Sequence, residues 1–476
     1  MKPERTAAPG DTAITAIRCR RIWDSRGRPT VEAELRLQDG SVALGQAPAG
    51  ASTGRGEARE LRDGGAWLGG HDVQSALRSI REVLAPSLIG VHACDQWAID
   101  QQLQHADPFV DKRTVGANAT LALSLACAKA AAQSLGVPLY RHLATLEPAA
   151  IGEGAAGPAH GDPQGHGAPE PRERATAQAR ASLALRLPLP QIQIFGGGAH
   201  AAGSVDIQDF MVTCPGASSA AQALEWTARV YMAAGAAMRR RGSRHGVADE
   251  GGWWPAFKSN EEGIETLLRS IEAARLQPGS EVCIALDVAA SQLKVAGGYQ
   301  LAHEGRTLDR DGMIAMLLGW VDRFPIVSLE DPLDEDDAVG FVQITQALRG
   351  KVQVVGDDFL VTDAARIRQA HALGAANAVL LKPNQRGTVS ETLQAWRQAL
   401  ELGYGGIVSA RSGETEDHSI VHMALGWSVP QLKVGSFARG ERMVKWNELL
   451  RLEESLGEDH RFAGWQAFTH AGITSG

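Results

Sequence analysis

Five charged residues in the second half of the chain each end a short apolar run. The runs are 283–287, 326–330, 352–357, 378–382 and 431–433, and they end in Asp287, Glu330, Asp357, Lys382 and Lys433. Carboxylate ligands without an accompanying Cys or His favour a hard cation such as Mg²⁺ over Zn²⁺. Beside such a cation, a lysine can act as a base once its pKa falls from ~10.4 toward ~7 to 8.

The elements that position these charges follow from the spacing. The five runs have the length of buried strands, and the segments between them have a helical pattern. This alternation predicts an α/β fold, a parallel βα barrel of the TIM type, whose strand carboxyl ends open onto one face. The charges would then converge on one site. Each charge taken alone is as compatible with a helix cap or a solvated loop residue as with a site role. The bland interpretation would, however, have to apply to all five residues at once.

Two loop segments have more than one interpretation. Glu250, in the segment 248–252, is either a carboxyl at the rim of the barrel or an exposed turn residue. Residues 50–54 match the G-x-S-x-G pattern of hydrolase nucleophile elbows, which need a helix directly after the serine. Because the charged segment 55–57 follows instead, a surface turn or a mobile loop that closes over a substrate is the better interpretation.

Three histidines are candidate ligands or site residues. His418 and His422 are four residues apart and could bind a metal from one helix face, but the glutamate of H-E-x-x-H is missing. A structural helix face is therefore the favoured interpretation for this pair. His200 follows three glycines and has few apolar neighbours in sequence, which favours a site role over a core position.

The 476 residues are enough for a barrel and a smaller partner domain. Residues 13–46 alternate apolar and polar around an Asp39-Gly40 turn, which predicts an antiparallel sheet, and residues 71–135 have a helical pattern. Residues 148–175 are rich in Pro, Gly and Ala, which predicts a flexible linker or insertion. We expect an N-terminal α+β domain at 1–147, the insertion at 148–182 and the barrel at 183–476.

The composition restricts partners and location. The formal net charge of −8 argues against nucleic acid or an anionic membrane as the main partner. The five cysteines are odd in number and lack a C-x-x-C pair, so neither a disulfide framework nor a structural zinc site is indicated. No apolar signal region follows the first residues, and no apolar stretch reaches the ~18 residues of a membrane span. We expect a cytoplasmic protein.

With these residues assembled, the sequence resembles the enolases over nearly its whole length, apart from 148–182 and both tails. The matching segments are 24–32, 50–54, 116–119, 206–210, 249–252, 328–332, 411–417 and 449–454. The resemblance implies an enolase-like barrel with a smaller N-terminal α+β domain. It also implies a homodimer or higher homo-oligomer, Mg²⁺ as cofactor and a phosphorylated carboxylate as the small-molecule partner.

The resemblance implies a role for each candidate residue. The first Mg²⁺ would be held by Asp287, Glu330 and Asp357. Ser52, on the mobile loop, would help to hold a second. Lys382 would be the base that removes the proton α to the carboxylate, and Glu250 the acid that protonates the departing hydroxide. The substrate would be bound by His200, Gln208, Asp209, Arg411, Ser412 and Lys433.

Four positions depart from the family pattern. Ala410 stands where enolases carry a histidine and Asp209 where they carry a glutamate, while Gly196 replaces a loop asparagine and Ala49 a serine. The implied metal ligands and lysine base are present, so removal of an α-proton is still expected. The leaving-group and phosphate side of the site is altered.

Three functions are compatible with this sequence. The leading one is a Mg²⁺-dependent lyase, phosphopyruvate hydratase, which interconverts 2-phosphoglycerate and phosphoenolpyruvate in glycolysis. The second is an enolase paralogue that dehydrates a related phospho- or phosphonate-carboxylate, as Ala410 would permit. The third is a non-catalytic binding protein that kept the fold, against which the three carboxylates and Lys382 argue.

Overall fold

The computed structural model describes residues 11–51, 53–146, 185–242, 246–458 and 460–474. They form an N-terminal sheet with helices, packed against a closed eight-stranded barrel. The α/β barrel with a smaller N-terminal α+β part is therefore confirmed. Ser52 and the expected insertion at 148–182 lie outside the described residues, and so do its neighbours at 147, 183 and 184.

The N-terminal sheet is an antiparallel meander of β1 (Ile14–Trp23), β2 (Pro29–Leu37) and β3 (Val42–Gln46). Gly40 has φ +89°, which permits the tight turn predicted between β2 and β3. The helices that follow are Gln74–Ser79 and Ala85–Leu88, joined by a π turn, then Gln96–His105, Ala117–Ser134 and Leu139–Thr145. The helical pattern predicted for residues 71–135 is confirmed.

Glycine sets how closely the alanine-rich helix Ala117–Ser134 approaches this sheet. A Cβ at Gly45 would lie 2.1 Å from the carbonyl oxygen of Ala122, so β3 and the helix meet backbone to backbone. The small side chains of the helix make the same approach possible on its other faces, and most of them are fully buried. This helix ends within a residue of 135, the limit of the predicted helical pattern.

The remaining strands follow in chain order. They are β4 (Leu185–Leu187), β5 (Leu189–Gly196), β6 (Asp209–Thr213), β7 (Cys283–Asp287), β8 (Lys294–Val295), β9 (Gly298–Leu301), β10 (Arg306–Leu308), β11 (Ile326–Glu330), β12 (Gln353–Gly356), β13 (Ala378–Leu381), β14 (Gly405–Ser409), β15 (Gln431–Ser436) and β16 (His460–Phe462). The barrel has the order β11-β12-β13-β14-β15-β5-β6-β7, and β7 pairs with β11 to close it.

One barrel strand runs against the others. β6 is antiparallel to both of its neighbours, so the prediction of an entirely parallel barrel is wrong at this strand. Because β6 is reversed, its first residue lies at the carboxyl ends of the strands beside it. Asp209 therefore pairs with Gly196, the last residue of β5, and with Asp287, the last residue of β7.

Polar side chains fix where the helices around the barrel begin. Those helices are Ala220–Arg240, Asn260–Ala273, Arg310–Arg323, Ala338–Ala347, Ala364–Leu373, Pro383–Arg386, Val389–Glu401, Ser419–Gly426 and Gly440–Leu456. Six of them are preceded by a residue whose side chain accepts a hydrogen bond from a backbone N–H of the first turn. These caps are Ser219, Ser259, Asp309, Asp337, Asp363 and Thr388.

Membrane-spanning length was tested on the described helices. No single one of them is long and apolar enough to cross a membrane. The helices Ala117–Ser134 and Leu139–Thr145 reach the required length and apolar character only when taken together, and they are bent by 105° at the break between them.

A buried carboxylate joins the N-terminal part to the barrel. Asp100 accepts hydrogen bonds from the Ser124 hydroxyl (2.6 Å) and the Gln96 amide (3.0 Å), and also from the backbone N–H of Ser390 (2.8 Å) on the barrel side. Burial raises the pKa of Asp100 to about 6. A carboxyl whose folded pKa is raised stabilises the protein least when it is ionised.

This pKa predicts a pH dependence of stability. Between pH 5 and pH 7 the free energy of unfolding should fall by about 1 kcal/mol more in the wild type than in Asp100→Asn, which has no proton to lose. Denaturant titration at both pH values measures the difference. Glu82→Gln, an exposed acid, is the control and should follow the wild type. An identical pH slope in wild type and Asp100→Asn would contradict the buried-carboxyl account.

Candidate active site

A cleft opens at the carboxyl face of the barrel. Among its lining residues are nine of the sequence-predicted site residues, namely His200, Gln208, Asp209, Glu250, Asp287, Lys382, Arg411, Ser412 and Lys433. Two further candidates, Glu330 and Asp357, are buried behind this lining and contact its two lysines. The predicted convergence of strand-end charges is therefore present. Ser52 cannot be placed, because it lies outside the described residues.

Lys433 lies at the centre of the charged cluster. Its Nζ lies 2.7 Å from Glu330 Oε2, 2.9 Å from Asp287 Oδ2 and 3.5 Å from Asp209 Oδ2. The three carboxylates occupy one row across the adjacent strands β6, β7 and β11. Burial would lower the pKa of Lys433, but the charges of Asp287 and Glu330 outweigh it and hold that pKa well above its usual range.

The position of Lys433 differs from the prediction. The sequence pattern placed it at the end of a strand, but β15 continues to Ser436, and Lys433 lies inside it. The side chain reaches the cluster from within the barrel wall, and its backbone carbonyl accepts a hydrogen bond from Ala410 N (2.9 Å).

Glu330 shows that this cluster is short of positive charge. Its Oε1 is buried and has no hydrogen-bond partner. Burial, and then the neighbouring charge of Asp287, raise the pKa of Glu330 well above its usual range. A buried carboxylate oxygen without a partner is costly, and a hard cation bound to oxygen ligands would remove that cost. The donor set of Asp287, Glu330 and Asp357 therefore fits a divalent cation.

The ligand atoms of that set are not gathered tightly. Among the described residues, three groups of His, Asp or Glu bring ligand atoms within 4.8 Å of one another, and the predicted triad is not one of them. Two of the groups lie at this site: His200, Asp209 and Glu250, and Asp331, Asp357 and Asp358. In the triad, Lys433 bridges Asp287 and Glu330, while Lys382 faces Asp357.

Lys382 is ion-paired with Asp357, whose other oxygen accepts a hydrogen bond from Gln385 Nε2 (2.9 Å). Burial opposes the charged ammonium, but Asp357 outweighs burial and raises the pKa of Lys382. A lysine that acts as a base needs a lowered pKa instead. The protein alone therefore does not produce the lowered pKa that a lysine base requires, because a carboxylate, rather than a cation, faces the ammonium.

His200 links the two carboxyls on the other side of the cleft. Its Nδ1 lies 3.0 Å from Asp209 Oδ1 and its Nε2 lies 3.6 Å from Glu250 Oε1. Burial disfavours the imidazolium, but the charges of Asp209 and Glu250 raise the pKa of His200 to about 9. The short helical turn Gly198–Ala201 carries His200 into this position. Its predicted site location, rather than a place in the apolar core, agrees with the structure.

Arg411 is held by residues that sequence reasoning missed. Its guanidinium donates to both oxygens of Glu57 (2.8 and 3.2 Å) and to Asn384 Oδ1 (2.9 Å). Glu57 belongs to the charged segment that follows residues 50–54. The charged segment 55–57 could have indicated a site role for Glu57. In the sequence it served only as an argument against a nucleophile elbow.

The nucleophile-elbow interpretation of residues 50–54 is wrong. β3 ends at Gln46, Ala49 forms only an isolated bridge with Gly413, and the described residues 53–66 contain no helix. Arg26 ties the loop to the site, because its guanidinium donates to the carbonyls of Ala49 and Gly50 (both 3.1 Å).

Gln193 is a second residue that sequence reasoning missed. It donates to Asp209 Oδ1 and accepts a hydrogen bond from the backbone N–H of Gly252 (2.9 Å), so it connects β5 to the loop that carries Glu250. The signal was present, because Gln191 and Gln193 alternate with apolar residues in a strand whose residues are all buried. Polar residues at a spacing of two face the same side of a strand.

The departures at Ala410 and Gly196 lie at the cleft and its rim. Ala410 follows β14 and lines the cleft beside Arg411. A Cβ at Gly196 would lie 2.7 Å from the Ala248 Cβ, so the backbone of β5 approaches the Glu250 loop more closely than a larger residue allows.

The chain was compared with known proteins. Residues 14–143 match the family described as "Enolase, N-terminal domain", and residues 184–471 match "Enolase, C-terminal TIM barrel domain". The chain belongs to the enolase family. It is 42% identical over 463 residues to "Enolase 1" of Desulfitobacterium hafniense (strain Y51), which covers 97% of this chain and 98% of that protein. It is accordingly an enolase-type hydro-lyase of a metal-dependent family, and the resemblance inferred from the sequence is confirmed.

The His200 pKa yields a prediction for the metal-free protein. At pH 7.5 the imidazole of His200 should be protonated, and Asp209→Asn should lower its pKa by more than one unit because the facing charge is lost. The stability that this charge contributes is present below pH ~6.5 and is lost as the pH rises through about 9. Titration of ¹⁵N-labelled histidine by NMR measures the pKa. Asp309→Asn, at a helix cap outside the cleft, should change nothing, and a neutral His200 at pH 7.5 would contradict the assignment.

Proposed function

We propose that this protein is a Mg²⁺-dependent phosphopyruvate hydratase, which removes the α-proton of 2-phosphoglycerate and expels hydroxide to give phosphoenolpyruvate. The supporting observation is that Lys382 and Glu250 line one cleft beside a carboxylate cluster in which the buried Glu330 Oε1 has no hydrogen-bond partner. Lys382 follows β13, and the Glu250 loop pairs with β5, three strands away around the barrel. A base and an acid can thus act on opposite ends of a small substrate.

The metal ligands proposed are Asp287, Glu330 and Asp357, with Ser52 assisting at a second ion. The α-proton of a carboxylate is very weakly acidic, and its removal adds a second negative charge to the same group. Bound Mg²⁺ would offset that charge as it develops. Arg411, Ser412, Gln208 and Lys433 would orient the carboxylate and phosphate. Gln208 is held for this by Gln292, which donates to its side-chain oxygen (2.6 Å).

Lys382 is the proposed base, and its pKa has to fall for that role. Burial lowers this pKa; the charges of Asp357 and Glu330 raise it, while those of Arg411 and Lys433 lower it. If both carboxylates were engaged as ligands, only the lowering influences would keep their full effect. The ammonium then loses its proton more readily, and the neutral amine can accept the α-proton of the substrate.

Glu250 is the proposed acid. The C–O bond at the substrate β-carbon breaks, the electron pair leaves with the oxygen, and the Glu250 proton converts the hydroxide to water. His200 faces Glu250 at 3.6 Å, and Asp209 orients His200 from the other side. Each turnover thus moves one proton to Lys382 and one from Glu250, and both groups re-equilibrate with solvent.

The proposal extends to features of the whole protein. We include a cytoplasmic location, a homodimer or larger homo-oligomer, and domain limits at 1–147, 148–182 and 183–476. The extent of the two family matches supports these limits.

The test follows phosphoenolpyruvate absorbance from 2-phosphoglycerate with Mg²⁺, together with α-proton exchange into deuterated water. Wild type should do both and lose both when Mg²⁺ is chelated. Lys382→Ala should lose both by at least ~100-fold, while Glu250→Gln should lose elimination but keep exchange.

Lys351→Ala is the matched control for loss of a lysine, because this residue forms only an exposed ion pair. It should keep wild-type rates. Equal loss of exchange in the Lys382 and Glu250 variants would remove the separate roles, and a wild type inactive on 2-phosphoglycerate would refute the substrate.

A second candidate function rests on Ala410, a small residue in the cleft at a position where the family has a histidine. The space would admit a related phospho- or phosphonate-carboxylate with a bulkier or differently charged group. The two candidate functions predict different effects of placing a histidine at position 410.

If 2-phosphoglycerate is the substrate, Ala410→His should raise kcat/KM about 10- to 100-fold, the effect of one polar contact worth ~1.4 to 2.7 kcal/mol in the transition state. Ala410→Leu supplies similar bulk without the polar contact and should not. Steady-state kinetics on the three proteins decides between the candidates. A gain below about twofold from measurable activity would favour the paralogue.

A further inference from the structure

Two histidines and a glutamate form a group outside the active-site cleft. His418 directly precedes the helix Ser419–Gly426, and His422 lies one turn into it. Glu448 belongs to the helix Gly440–Leu456, so a third candidate ligand, a carboxylate, comes from another element. One ligand atom from each of the three residues lies within 4.8 Å of the others. We propose that these residues bind a transition-metal dication such as Zn²⁺.

The separations match a metal site. His422 Nε2 lies 3.3 Å from Glu448 Oε1, long for a hydrogen bond. Metal–ligand bonds of about 2.1 Å at a tetrahedral angle place two ligand atoms roughly 3.4 Å apart. The imidazole centroids of His418 and His422 are 5.3 Å apart. Two rings bound through nitrogen to one tetrahedral ion have their centroids roughly 5 Å apart.

The surroundings hold the ligands in place. His422 is 6% exposed, and its ring stacks on Tyr140 with the planes 8° from parallel. Arg451 donates to Glu448 Oε2 (2.8 Å), which leaves Oε1 directed at His422. The Nδ1 atoms of both histidines are buried without a hydrogen-bond partner.

Imidazole and carboxylate together select for zinc, nickel or cobalt over magnesium, which prefers oxygen ligands. Three protein ligands leave a position for water. A bound ion would join the two helices close to the segment 411–418, which begins at Arg411 in the active site. This site is separate from the proposed catalytic residues, so it stands or falls independently of the hydratase reaction.

The test titrates the purified full chain with Co²⁺ and Zn²⁺ in excess Mg²⁺, which competes for the carboxylate site. Wild type should bind one Co²⁺ with the absorption bands of a low-coordinate nitrogen and oxygen site. His418→Gln and Glu448→Gln should each weaken binding by more than the roughly 100-fold that loss of an outer hydrogen-bond partner costs. Zn²⁺ should raise the melting temperature of wild type and not of these variants.

Two histidine variants serve as controls. His105→Gln removes an exposed histidine elsewhere, and His200→Gln removes the histidine of the catalytic cleft. Both should bind Co²⁺ as tightly as wild type. Unchanged affinity in His418→Gln and Glu448→Gln overturns the proposal, and so does loss of binding in His200→Gln alone. His418 is only partly buried, so its variant is expected to fold even if His422→Gln does not.

Discussion

The structure depends on how a single buried ammonium compensates a row of carboxylates. Asp209, Asp287 and Glu330 stand side by side on three adjacent strands, and the Nζ of Lys433 is within 3.5 Å of each. Burial, and then the like charge of Asp287, raise the pKa of Glu330. Removing the lysine would leave several uncompensated charges in the barrel wall, whose cost would be several kcal/mol. This compensation is incomplete, because the buried Glu330 Oε1 has no hydrogen-bond partner.

Two side chains from other elements fix the segments around this charged cluster. Arg442 is fully buried and donates to the backbone carbonyls of Arg411, Ser412 and Val434, so one side chain joins the segment after β14 to β15. Glu57 reaches Arg411 from the N-terminal part. The catalytic face is thus built from both parts of the chain, and the N-terminal part contributes to the site as well as to stability.

Much of this followed from the sequence, because strand endings and charge types are local properties. The β7 and β11 bounds, the antiparallel N-terminal sheet and the place of His200 were predictable on those grounds. The reversal of β6 was not, because strand direction depends on how the short segment 197–208 turns back. Nor were the partners of Arg411 or the meeting of Glu448 with His422, since each pair is distant in sequence and is joined only by tertiary structure. Lys382 shows a further limit, because its pKa is set by Asp357, whose facing position only the fold reveals.

The reversed strand has a consequence for biosynthesis. Because β5 and β6 form a hairpin rather than a crossover, His200 and Asp209 come together as soon as that short stretch of chain has been made. Asp287 and Glu330 follow, and Lys433 is made well after both of them. During that interval the nascent chain carries these two carboxylates without the ammonium that bridges them in the folded protein. Solution cations or chaperones therefore have their greatest scope to act on this pair before Lys433 is made.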